Sequence, residues 1–87
     1  MMPQTEITYG RLDKVLRSFG FSRREFERHG KGVRYEHKDT GALVTIPLYP
    51  DDEKVYLHHM VIVRSAIEDF GISDRSVLEK KLKRKTR

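Results

Sequence analysis

The chain has 87 residues, enough for one small domain and too few for a second core. With 37% hydrophobic and 36% charged residues the buried apolar area is modest, and a homodimer is one expected way of adding to it. The absence of cysteine excludes a disulfide framework and a thiolate zinc site, and no apolar run approaches membrane-spanning length. The N-terminal MMPQTE has neither the basic nor the apolar segment of a secretory signal, so the expectation is a soluble, cytoplasmic protein with no membrane contact.

The net charge of +5 is distributed in blocks. Residues 11–38 carry a net +5, residues 39–74 a net −5 and residues 75–87 a net +6. Such segregation predicts a basic surface suited to phosphates, a separate acidic surface and a basic tail.

In chain order, Thr8 is a helix N-cap candidate, and Tyr9, Leu12, Val15 or Leu16, and Phe19 recur every three or four residues, which predicts a helix over 8–19 ended by Gly20 in a left-handed conformation. Residues 21–29 alternate without a cleanly apolar face: Phe21, Arg23, Glu25 and Glu27 share one parity, and Ser22, Arg24, Phe26 and Arg28 the other, as in an edge strand. Val33, Tyr35 and His37 then alternate with Arg34, Glu36 and Lys38, a half-buried strand. Lys38, Asp39, Thr40 and Gly41 carry turn chemistry, with Gly41 suited to a positive φ. In the strand over 42–48, Ala42, Val44, Ile46 and Leu48 face the core, and Pro47 marks an edge.

Beyond the acidic loop Asp51, Asp52 and Glu53, a helix over about 57–70 presents Met60, Val63, Ile67 and Phe70 to the inner face of the sheet and ends at Gly71. Ser73 or Asp74 caps a short helix with Val77, Leu78 and Leu82 as its apolar side, before KLKRKTR runs out in charge. The expected class is α+β: helix, three-stranded antiparallel sheet, helix, plus a short C-terminal helix.

Three segments together resemble the HicA-type toxins, small bacterial messenger-RNA ribonucleases of toxin and antitoxin pairs with a double-stranded-RNA-binding-domain-like fold. They are LxxxLRSFGF at 12–21, GxxVRYEHxxTGALVTIP at 30–47 and HHMVIVRSAIEDFGI at 58–72. The resemblance implies a domain over 8–72, with 73–87 a short helix and basic C-terminal tail. It also implies an RNA partner, duplex or structured, and a cognate antitoxin protein.

The family's hairpin opens with a Gly-Ser-His element whose histidine is taken as catalytic, and the matching positions here are Gly30, Lys31 and Gly32. Metal-independent cleavage of RNA needs one group to take the 2′-hydroxyl proton and one to protonate the leaving oxygen, and glycine does neither. His29, three positions earlier, is the nearest replacement, on the expectation that a turn containing Gly30 and Gly32 brings it to the missing site. His37 lies on the Val33 and Tyr35 side and reads as a hydrogen-bonded, partly buried side chain. His58 and His59 read as solvated residues at a helix start, because adjacent helical positions project about 100° apart and do not share one metal ion. No cofactor is expected. The acidic loop lacks calcium-ligand periodicity and reads as repelling nucleic acid or meeting a basic partner.

The binding surface expected from strand parity comprises Arg24, Arg28, Lys31, Arg34 and Lys38, with Arg23 beside them and Arg11, Lys14 and Arg17 added from the first helix. Three readings follow: an RNA-binding HicA-like protein without the usual catalytic histidine, an active ribonuclease using a displaced histidine, and a protein-interaction module.

Overall fold

The structure is a computed structural model and describes residues 3–83; the end of the basic tail, residues 84–87, lies outside the described residues. The main sheet is antiparallel in the order β2 (Phe21–Glu27), β3 (Lys31–His37), β4 (Ala42–Pro47). Helix α1 (Tyr9–Ser18) precedes it, and α2 (Leu57–Asp69) and α3 (Arg75–Lys83) follow, which is the α+β order expected. No helix among the described residues is long and apolar enough to cross a membrane.

Strand parity decides the layering. Val33, Tyr35 and His37 of β3 and Ala42, Val44 and Ile46 of β4 are buried, while the alternate positions Arg34, Glu36, Leu43, Thr45 and Pro47 are exposed. The buried positions join Leu12, Val15 and Leu16 of α1 and Met60, Val63 and Ile67 of α2 in one core, so the helices lie on the inner face and the outer face is left bare. The start of α1 is built as expected: the Thr8 hydroxyl accepts from the Arg11 N–H at 3.2 Å. Gly20 and Gly41, two of the turn positions where a positive φ is needed, hold φ of 98° and 78°.

Two short strands escape the periodicity. β1 (Gln4–Thr8) and β5 (Lys54–Tyr56) form an antiparallel ribbon of their own. The ribbon brings the acidic loop against α1, where the Asp51 carbonyl accepts from the Gly10 N–H at 2.9 Å and the Glu53 carbonyl from the Tyr9 N–H at 2.8 Å. These are first-turn donors with no partner inside their own helix, so the loop has a structural task. Gly10 permits the approach, since a Cβ there would lie 3.0 Å from the Asp51 Cβ.

The C-terminal helix is part of the same core. Leu78 is fully buried and Leu82 nearly so. The Arg11 guanidinium donates to the Lys81 carbonyl at 2.6 Å, and Arg64 meets Glu79 through two hydrogen bonds of 2.9 Å. Asp74 is the cap: its carboxylate accepts from the Val77 N–H at 3.0 Å and from the Ser76 hydroxyl at 2.9 Å, contacts that hold its carboxyl below the usual range. The packed body therefore runs from β1 to α3, beyond both ends of 8–72. Among apolar residues, Leu57, Val61 and Ile62 of α2 remain exposed.

Candidate nucleic-acid interface

The β2–β3 hairpin pairs residues symmetrically about His29, and this register builds the outer face. Arg24 stands directly opposite Arg34, with Thr45 next across the sheet, and Phe26 stands opposite Gly32, with Pro47 next. Both arginines are exposed and neither has an ion-pair partner among the described residues. Like charges directly opposed in an antiparallel ladder are destabilising. The only acidic residue at an outer-facing position of the three strands is Glu36, one row away.

Gly32 is explained by this register. It lies within β3 and not in a turn, and the Phe26 ring reaches across the strands to cover it. A Cβ at position 32 would lie 2.5 Å from Phe26 Cζ and within 3.0 Å of both Cε atoms. The place where the resemblance puts a catalytic histidine is therefore filled by an aromatic ring, and glycine is the residue that lets the ring lie there. The Arg34 guanidinium carbon sits 5.8 Å from the ring centroid, within cation–π range.

The other expected cations divide. Arg28 falls one residue past β2 at the hairpin tip, and Lys38 one residue past β3 at the opposite end, on the order of 20 Å away along the strand. Lys31 does not share the outer face: it has the parity of Val33 and Tyr35 and lines a shallow groove of about 280 Å³ with Glu25, Phe26, Glu27 and Leu48. The helix cations cannot join the outer face because α1 packs on the inner side. Arg17 pairs with Asp13 at 3.1 Å, and Arg23, on the inner parity of β2, lies 3.7 Å from Asp13 and 3.1 Å from Glu25. The same Asp13 accepts from the Tyr35 hydroxyl at 2.6 Å, and burial followed by this bond pushes the Tyr35 hydroxyl well above its ordinary value.

The histidines separate in the same way. His29 is exposed at the hairpin tip with φ of 59°, a left-handed conformation uncommon for a residue with a side chain. The ladder holds Gly32 inside the sheet, so the hairpin does not carry His29 to that position. His37 is buried as expected: Nε2 lies 3.0 Å from the Phe19 carbonyl, an acceptor, and so carries the donated proton, while Nδ1 is 2.8 Å from the Thr40 hydroxyl. It ties the α1–β2 turn to the β3–β4 turn.

His59 overturns the expectation of a solvated pair. His58 is exposed, but His59 is buried, with Nδ1 2.8 Å from the Tyr9 hydroxyl. That oxygen also accepts from the Tyr56 N–H at 3.2 Å, leaving the Tyr9 proton to be donated to Nδ1. Tyr49 stacks on Tyr9 at 4.5 Å, and Tyr56 meets His59 edge-on. Burial, then the charge of His58, holds His59 below its ordinary pKa, and burial pushes Tyr9 up to about 12. Sequence gave one signal for the pair, Tyr9 at the head of an amphipathic helix, but its partner lies 50 residues away.

This cluster has a pH signature. The unfolded histidine titrates near 6.5 and the folded one lower, so between those values the unfolded chain binds the additional proton. The stabilising contribution is fully present above about pH 6.5 and is lost as pH falls toward the folded value. Tyr9, Tyr49, Tyr56, His58 and, through Tyr56, Glu53 are the titratable groups around the ring. The melting temperature is expected to fall more steeply between pH 7.5 and 5.5 in the wild type than in His59→Asn, which keeps an acceptor near Nδ1 and does not titrate. Parallel pH profiles would show that His59 is not the linked group.

Among the described residues no group of three or more histidine, aspartate or glutamate side chains is placed to hold a metal ion. Comparisons with protein-family models, curated proteins and solved structures found no match.

Proposed function

We propose that the chain is a HicA-like RNA-binding protein that holds RNA on the bare outer face of its sheet and lacks the family's histidine centre. The observation that carries the reading is the pair Arg24 and Arg34, exposed, directly opposed and without an ion-pair partner among the described residues, on the face of the three-stranded sheet that no helix covers. A like-charged cross-strand pair works against folding, and an anion bound between its members removes the repulsion. Arg28 and Lys38 extend the positive field toward the two ends of the sheet, while Arg17, Arg23 and Arg64 are held by carboxylates. The absence of a histidine centre is supported by Phe26 over Gly32 and by the position of His29 at the hairpin tip, away from Gly32 inside the ladder.

The test is RNA binding measured by fluorescence anisotropy at increasing salt. Affinity is expected to fall linearly on a log–log plot, and Arg24→Thr with Arg34→Thr is expected to lower the affinity and to flatten the slope by about 1.4, at roughly 0.7 per lost contact to a single strand. Unchanged affinity and slope in the double variant would remove the sheet face from consideration. No RNA binding at all would favour the protein-interaction reading, with exposed Leu57, Val61 and Ile62 of α2 as the working surface.

A further inference from the structure

We infer that the outer face takes an unpaired RNA strand, one base of which stacks on the Phe26 ring. This rests on the RNA-binding reading of that face and names the form of RNA it holds. The ring belongs to β2 but lies over the backbone of Gly32 in β3, backed by a residue with no side chain to lift it off the sheet. It is only partly buried, on a face that no helix covers. The neighbouring row places Arg24 and Arg34 beside it, the latter already within cation–π range, and the row that holds the ring ends in Pro47, which adds apolar surface without a donor.

A ring beside two cations on an uncovered sheet face matches what an unpaired strand offers and a duplex withholds. In an A-form duplex the base faces are inside the stack, and the protein meets phosphates and 2′-hydroxyls. An unpaired nucleotide exposes its π-face to an aromatic side chain while its phosphates reach the adjacent arginines. The row beside the ring offers Arg24, Arg34 and Thr45, so stacking and charge provide most of the contact and sequence preference is weak.

The experiment compares a fluorescein-labelled oligouridine of about ten nucleotides, a length within the range held by single-strand-binding folds, with the same strand annealed to its complement. The wild type is expected to bind the free strand more tightly than the duplex. Phe26→Leu, which still covers Gly32, is expected to weaken free-strand binding on the order of tenfold or more, and Phe26→Tyr, which keeps the ring, to retain it. Melting temperatures of both variants separate loss of stacking from loss of fold, and the strand-against-duplex comparison needs no variant. Tighter binding of the duplex, or wild-type affinity in a folded Phe26→Leu protein, would overturn the inference and leave the RNA-binding face standing. Salt-independent or absent binding of both RNAs overturns the face and the inference together.

Discussion

Replacing Leu78 by alanine is expected to cost about 2–5 kcal/mol, and a chain ending at residue 72 is expected to show no cooperative unfolding transition. Leu78 is fully buried, and with Leu82 it extends the core shared by α1, α2 and the sheet. A domain of this size has a net stability of about 5–15 kcal/mol, so one leucine truncation removes a large share and loss of both leucines removes most of it. The Arg64–Glu79 pair, each side chain about a quarter exposed, adds at most about 1 kcal/mol and does not decide the outcome. Thermal denaturation followed by circular dichroism reads both changes. A 1–72 chain that melts cooperatively at the wild-type temperature would make α3 an appendage.

The second large effect is a pair of changes of opposite sign. Arg24→Thr is expected to raise stability by about 0.2–1 kcal/mol, because it removes one member of a like-charged cross-strand pair and introduces a residue that favours strands. It leaves Arg34 on the Phe26 ring, so the cation–π contact is not part of the change. The same substitution is expected to weaken RNA binding several-fold at low salt, through loss of one phosphate contact. A variant that is more stable and binds less tightly identifies a residue retained at a cost to the fold. If Arg24→Thr lowered stability instead, the arginine would have a structural partner and the argument from the opposed pair would fail. Chemical denaturation and anisotropy on one protein preparation measure both quantities.

The faces of β3 and β4 were legible because their alternation is strict: Val33, Tyr35, Ala42, Val44 and Ile46 are apolar and their neighbours are mostly polar. Thr8, Gly20 and Gly41 were legible because caps and left-handed turns need particular residue types, and the cap of α3 was legible to within Ser73 or Asp74, of which the structure uses Asp74. β5 is three residues long and β1 carries one apolar residue, too little for a periodic signal. Their strand form depends on pairing with each other across most of the packed sequence, Gln4 with Tyr56 and Thr8 with Lys54, and pairing partners are not written in local pattern.

Gly32 shows the same limit at the candidate site. Taken alone it is a missing histidine, but paired with Phe26 it is the floor beneath a ring. The signal that finds this is the hairpin's symmetry: a three-residue connection, Arg28 to Gly30, centred on His29 places residue 26 opposite residue 32. Lys31 stands apart from Arg34 and Lys38 for a related reason: it shares the odd parity of Val33 and Tyr35, and its place at the first residue of β3 leaves it exposed at the sheet end all the same. His59 was out of reach, because its burial comes from Tyr9, Tyr49 and Tyr56, which three separate parts of the chain deliver.

The most direct measurement is a nuclear magnetic resonance titration of the ¹⁵N-labelled protein with an unpaired RNA strand, following the arginine side-chain Nε–H signals. Arg24 and Arg34 are expected to shift first and furthest, accompanied by the ring protons of Phe26, while Arg17 and Arg64, held by carboxylates on the helical side, stay in place. Shifts concentrated on the helices with Arg24, Arg34 and Phe26 unmoved would contradict RNA binding by the outer face of the sheet.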